Sequence, residues 1–209
     1  MANGGRIGRR NVPVIDGASG IWSLQEIADA ARLGLRFNRD FFDSDTSAQY
    51  TQYADTAGTW AISGGELVAT NGAQAVFIRN GTSYTDVAIE ADMSHAYDGG
   101  LVLRFIDTSN YYLAALSDDS GIAPTQNIRI FKRVSGTFTQ LGSNVDITWT
   151  RGVSKTIRFQ ASGTTIQVFV DGVSQLSVTD SAIAGPGGVG MRNSTSGQQS
   201  KFQAFRWGI

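Results

Sequence analysis

GGLVLRFIDTSNYYLAAL, Gly99 to Leu116, decides the fold. Two apolar runs flank Asp107-Thr108-Ser109-Asn110, residues that favour turns by bonding side chain to backbone. Period two puts Leu101, Leu103 and Phe105 on one face and Val102, Arg104 and Ile106 on the other. After the turn, Tyr111, Leu113 and Ala115 alternate with Tyr112, Ala114 and Leu116. Both faces of both runs are mostly apolar. That pattern suits strands inside a sandwich, covered on both sides, rather than an edge hairpin with one wet face.

Downstream, TIRFQASGTTIQVFVDGVSQLSV reads as a meander. Ser162-Gly163 is expected to close one hairpin and Asp171-Gly172 the next, the latter a two-residue type I′ loop. Ile166, Val168 and Val170 face one way, Thr165, Gln167 and Phe169 the other. Further short runs predict strands near 41–42, 59–62, 66–69, 75–79, 87–93, 101–106, 111–116, 127–134, 138–142, 155–161, 188–192 and 201–207. Many short strands at close spacing mean an all-β sandwich or barrel, and the hairpin with two apolar faces makes the antiparallel sandwich the expected fold. The 25 glycines against 3 prolines supply the turns. No cysteine is present, so disulfides and thiolate metal sites are excluded.

Upstream the texture differs. Residues 1–18 lack periodicity and cannot form their own core. Ser23 and Glu26 then form a capping box, with Trp22 and Ile27 as its hydrophobic staple. A helix over about 24–33 follows, stopped by Gly34. Leu24, Ile27, Ala28, Ala31 and Leu35 share one face. Three turns alone are marginal in water. That face must be covered by the sandwich, by a copy of itself or by another protein. The predicted division is an arm with a short helix over 1–39 and a sandwich over 40–209.

Charge follows the same division. Residues 1–39 carry six arginines against three acids, whereas the remainder is net acidic. A basic arm on an acidic body suits docking on an acidic surface. Arg6, Arg9 and Arg10 lack an aromatic platform or recognition helix, so nucleic acid is not the expected partner. MANGGRIGRR has no apolar core of a signal peptide, and no run approaches a membrane span, so a soluble protein is expected.

Two resemblances follow from these residues. Phe42-Asp43, Gly58-Thr59-Trp60, Gly65-Glu66-Leu67, Asp86-Val87, the Gly99–Phe105 run with Asn110-Tyr111-Tyr112, Val168–Gly172 and Gly187–Gly190 resemble the concanavalin A-like jelly roll of laminin-G-type domains. Gly5, Ile7, Gly8, Asn11, Pro13 and Ser19–Glu26 resemble the N-terminal segment of many tailed-phage virion proteins. Those continue to Gly and then Trp-Pro, where this chain has Gly34-Leu35-Arg36. The second resemblance implies a virion structural protein that displays its sandwich as a head decoration, fibre or tail appendage. Arg6, Ile7, Arg9, Arg10, Pro13, Ile21, Trp22, Leu24 and Ile27 would attach it to capsid, tail or connector proteins. A homo-oligomer, such as a trimer, is expected through the leader helix.

Glycanases of this fold carry an E-x-D-x-x-E run on one strand, so that paired carboxylates flank a sugar bond. Glu90-Ala91-Asp92 supplies two positions, but His95 stands at the third. Only Glu26, Glu66 and Glu90 are glutamates, and no catalytic residue is expected. His95 is the sole histidine and is read as a loop residue at the surface. No cofactor is expected, although laminin-G-like domains can hold Ca²⁺ at a rim. Asp98, Asp107, Asn110, Asp118 and Asp119 are the candidate oxygen donors here. Tyr84, Tyr97, Tyr111 and Trp149 are candidate aromatics for the alternative reading, a module that binds host glycans. A glycan hydrolase is the third reading.

Overall fold

The computed structural model describes residues 38–54, 58–70, 75–118, 126–194 and 199–208. Fifteen strands occur among them: β1 (Asn38–Asp40), β2 (Tyr50–Tyr53), β3 (Thr59–Ser63), β4 (Glu66–Thr70), β5 (Ala75–Arg79), β6 (Val87–His95), β7 (Tyr97–Asp107), β8 (Asn110–Ser117), β9 (Asn127–Val134), β10 (Thr137–Asp146), β11 (Lys155–Ser162), β12 (Thr165–Val170), β13 (Val173–Thr179), β14 (Gly188–Asn193) and β15 (Gln199–Gly208). They form two antiparallel sheets. The first runs β13-β12-β11-β6-β15-β4-β3, with β1 pairing with β15 beyond the end of β4. The second runs β10-β9-β8-β7-β14-β5-β2.

Alternation fills the space between the sheets. Ile89, Ala91 and Met93 of β6, Phe159 of β11 and Phe202 and Phe205 of β15 meet Leu101, Leu103, Tyr112, Ala114, Ile130 and Met191 of the second sheet. Ile166, Val168 and Val170 join them, as the meander predicted. Asp171 and Gly172 adopt φ of 50° and 80°, the left-handed pair of a type I′ turn. The preceding turn is Gly163-Thr164 rather than Ser162-Gly163, because Ser162 already pairs with Thr165.

The Gly99–Leu116 hairpin is covered on both faces, as its composition required. One detail departs from strict alternation. The β7–β8 register shifts between Leu103 and Asp107, where Arg104 has φ of 48°. Phe105 therefore joins Val102 on the outer face instead of following Leu103 inward. The strand expected near 41–42 lies at 38–40. Asp40 then ends it by accepting hydrogen bonds from Phe42 N–H (2.9 Å), Thr46 Oγ1 (2.5 Å) and Tyr50 Oη (3.1 Å). Strand β2 was not anticipated, since Tyr50-Thr51-Gln52-Tyr53 sits in a polar, turn-rich setting. The helix expected over 24–33 lies outside the described residues.

Candidate functional site

The outer faces of the two sheets differ in kind. That of the second sheet is apolar: Val76, Ile78, Val102, Phe105, Tyr111, Leu113 and Ala115 form a second buried cluster. That of the first sheet is polar. Its inward positions are consumed by the core, so the intervening residues of β6, β11, β12 and β15 must point outward.

Register lines five of these side chains into one row across the strands. Phe169 of β12 stands opposite Arg158 of β11, Arg158 opposite Glu90 of β6, Glu90 opposite Arg206 of β15, and Arg206 opposite Arg39 of β1. Neighbouring strands are about 4.8 Å apart, so the row is about 19 Å long. An aromatic ring closes each end. The Arg158 guanidinium lies 5.7 Å from the Phe169 centroid. Arg39 and Arg206 lie 4.6 Å and 5.8 Å from that of Phe41.

Arg206 organises the centre. Its Nη1 donates to Glu90 Oε1 at 3.1 Å and its Nη2 to Asp92 Oδ2 at 2.5 Å. Thr156 Oγ1 donates to the other Asp92 oxygen at 2.7 Å. Burial pushes the Glu90 carboxyl above the ordinary glutamate range, against the pull of Arg206 and Arg158. Arg158 differs from Arg206: its buried Nε has no hydrogen-bond partner. Beside it Gln160 Nε2 donates to Gln167 Oε1 at 2.7 Å, leaving amide groups of both on the same face.

Glu90 and Asp92 thus share a face, as their spacing predicted, but both are committed to one guanidinium. His95 ends β6 instead of lying in a loop. Its Nδ1 is 3.0 Å from Ser94 Oγ, and Ser94 Oγ also donates to Glu66 Oε1 at 3.3 Å. Ser94 is buried, so this trio offers no accessible nucleophile. Burial, then Arg151 and Lys201, hold the His95 imidazole below its ordinary pKa.

The candidate glycan aromatics do not assemble. Trp149 and Tyr111 are fully buried, which corrects their assignment to a binding surface. Trp149 lies in the core, its Nε1 donating to the Val153 carbonyl at 2.8 Å, because a buried indole N–H needs an acceptor. Tyr111 packs between Phe105 and Phe138. Tyr84 is half-buried against the core and bridges Gly187 through backbone hydrogen bonds. Tyr97 is half-buried at the start of β7. The residues that form the row instead were missed, since only strand register brings them together.

The candidate calcium donors are likewise dispersed. Asp98 and Asp118 lie at one end of the hairpin, Asp107 and Asn110 at the other, roughly 30 Å apart along β7. Asp98 accepts from Arg129 at 2.7 Å, and Asp118 from Ala96 N–H at 2.8 Å and Arg151 at 3.0 Å. Asp107 accepts from Ser109 N–H at 2.7 Å and caps its own turn. Among the described residues, no three acids or histidines gather as a metal site. Asp119 and the attachment residues Arg6 to Ile27 lie outside the described residues.

No family model and no curated protein matches the sequence. Solved structures match the fold. The carbohydrate-binding module CBM66 from Bacillus subtilis superposes with a TM-score of 0.63 at 17% identity, over 77% of this chain and 96% of that one. A Bacillus licheniformis β-glucanase gives 0.63 at 12% identity, over 84% and 98%. The GH43 protein BlXynB from Bacillus licheniformis gives 0.59 at 17%, over 82% of this chain and 39% of that one. At these identities the likeness establishes the fold alone: a concanavalin A-like jelly-roll sandwich.

Proposed function

We propose that this chain is a carbohydrate-binding sandwich without catalytic activity, and that its ligand lies along the row from Phe169 to Arg39. The Arg158 guanidinium carries this reading. It is held over a ring at 5.7 Å, and its buried Nε lacks an acceptor. The half-buried guanidinium offers its outward N–H groups to a sugar hydroxyl or carboxylate, and Gln160 and Gln167 beside it offer both donors and acceptors. Three arginines against Glu90 and Asp92 leave the row net positive, which favours glycans bearing carboxylates. Among the similar structures are a carbohydrate-binding module and glycoside hydrolases, which supports a sugar ligand.

Binding is favoured over hydrolysis by Arg206. Hydrolysis needs one carboxyl to carry a proton and the other to attack or to activate water. Both carboxylates here accept hydrogen bonds from the same cation. The test is a glycan array with neutral and uronate-containing oligosaccharides, followed by calorimetry of wild type and Arg158→Ala. Binding that weakens about tenfold or more in Arg158→Ala supports the assignment. Absence of binding to any glycan, or release of reducing ends, overturns it.

A second reading, attachment to a phage particle through residues 1–39, rests on the leader's sequence resemblance and names where such a module would act. Mass spectrometry of particles from a host carrying the gene tests it: the chain is found in purified virions, or the reading fails.

A further inference from the structure

We propose that Glu90 sets which sugars the row accepts: ionised, it repels a sugar carboxylate; protonated, it donates a hydrogen bond to one that Arg158 holds. That role rests on the row being a glycan site, and it names the group that decides between acidic and neutral ligands.

The arginines of the row are not equivalent. Arg206 is committed through both Nη atoms, to Glu90 Oε1 at 3.1 Å and to Asp92 Oδ2 at 2.5 Å. Arg39 lies on the Phe41 ring at the far end. Arg158 stands opposite Glu90 on the next strand but leans the other way, to the Phe169 ring at 5.7 Å. Among the described residues Glu90 pairs with Arg206 and not with Arg158. Gln160, the next outward residue of β11, also leans away from β6, to Gln167 of β12 at 2.7 Å. The side chains of Glu90 and Arg158 thus diverge, one toward β15 and the other toward β12. They leave a notch with a carboxyl on one wall and a guanidinium on the other, their strands about 5 Å apart.

Glu90 keeps one oxygen for a ligand. Oε1 takes the Arg206 bond, and Oε2 has no hydrogen-bond partner among the described residues. The side chain retains 17% exposure, so a ligand can reach it. Asp92 differs: Thr156 Oγ1 donates to its second oxygen at 2.7 Å, so both of its oxygens are taken.

A sugar carboxylate entering the notch meets Arg158 and Glu90 together. Two carboxylates in contact do not both stay ionised, and one proton between them is the stable arrangement. Burial already favours the neutral Glu90 carboxyl, against Arg206 and Arg158 and with the help of Asp92. The proton therefore comes from solvent to Glu90, and its O–H donates to one ligand oxygen in a short charge-assisted bond. Arg158 donates to the other. Nothing else is consumed, and a neutral sugar requires no such uptake. Facing Glu90 are Asp92 on its own strand, Arg158 from β11 and Arg206 from β15, with Arg39 one strand further. His95, the chain's one histidine, lies five residues along β6.

Calorimetry of the full chain with trigalacturonate, in pairs of buffers that differ in ionisation heat, reads the proton directly. Cellotriose is the neutral probe. Wild type should take up protons on binding trigalacturonate, and should bind it about tenfold or more tighter at about pH 5 than at about pH 8, one pKa unit being tenfold. Glu90→Gln keeps a donor in place of the acid. It should bind trigalacturonate at both pH values without proton uptake.

Trigalacturonate bound by wild type without uptake overturns the proposal and leaves the glycan site standing. So does binding of cellotriose alone, or uptake that persists in Glu90→Gln and so belongs to another group such as His95. Failure of both sugars to bind at either pH overturns the glycan site and this role with it. The wild-type uptake needs no variant, so it decides the matter even if Glu90→Gln disturbs the fold.

Discussion

Arg104 donates from Nη1 to the carbonyl of Ile183 at 2.8 Å, joining residues 79 apart in the chain. Its Nε donates to Thr85 O at 2.7 Å and its Nη2 to Gly163 O at 2.6 Å. The side chain is 1% exposed, so one cation satisfies three loop carbonyls out of water. Arg104→Met fills much of the volume but leaves those acceptors bare. It should destabilise the fold by about 3–5 kcal/mol, measured by urea unfolding.

Gly187 packs against the same residue. A Cβ there would lie 2.4 Å from the Arg104 carbonyl carbon and 2.7 Å from its Cα. Gly187→Ala should cost about 1–3 kcal/mol in a thermal melt. Gly185→Ala, two residues earlier with nothing within 4 Å, should leave the melting temperature nearly unchanged.

Asp180 ties the second sheet to the segment after β13, accepting from Lys132 Nζ at 2.6 Å, Tyr112 Oη at 2.6 Å and Ala182 N–H at 2.9 Å. Burial alone would raise its pKa, but these hydrogen bonds outweigh that and hold it below the ordinary aspartate range. Its stabilisation is therefore present above that range and is lost as pH falls through the depressed value. Asp180→Asn should cost about 1.5–3 kcal/mol at neutral pH. Denaturation midpoints of variant and wild type should converge in acid. At the alkaline end, burial and the Asp180 hydrogen bond push the Tyr112 phenol up to about 12, so its ultraviolet titration should fall well above that of a free phenol.

Glu90 carries the opposite sign. Its raised pKa means that the folded state holds the proton more tightly than the unfolded chain does. Wild type should therefore lose stability relative to Glu90→Gln as pH rises from the ordinary glutamate range through the raised value. Paired melts across that interval check the slope; a flat difference would show that Glu90 is fully compensated by Arg206.

His95 is depressed, chiefly by burial. The neutral ring is the form that the folded state prefers. Its contribution is complete above the ordinary histidine pKa and disappears as pH falls through the lowered value. Histidine NMR resonances should titrate below the free imidazole, and Arg151→Ala should move the midpoint upward.

Where hydrophobic period governs, the structure is readable from sequence. The strands at 127–134 and 165–170 lie where alternation put them, because one face of each is sealed by the core. Arg104 shows the limit. A guanidinium in an apolar run looks like an outward residue, and only the loops at 85, 163 and 183, distant in sequence, turn it inward. The row on the first sheet was hidden for a similar reason. Glu90 and Asp92 are neighbours on one strand and were found together, whereas Arg158 and Arg206 reach Glu90 only through register with β11 and β15. Trp149 and Tyr111 were misjudged because an aromatic beside polar residues looks the same whether it lines a surface or plugs a core.

The clasp at Arg104 also divides the molecule by its tolerance for change. Where a single head group grips three loops, lengthening any one of them pulls on the other two, so that pole resists remodelling. Inserted sequence is better accepted at the opposite pole, in the β12–β13 turn, where Gly172 and Val173 are exposed and a Cβ at Gly172 would meet nothing within 4 Å. A tag or partner domain grafted there should leave the sandwich intact, and the fold thereby has a built-in preference for which of its ends can be rewritten.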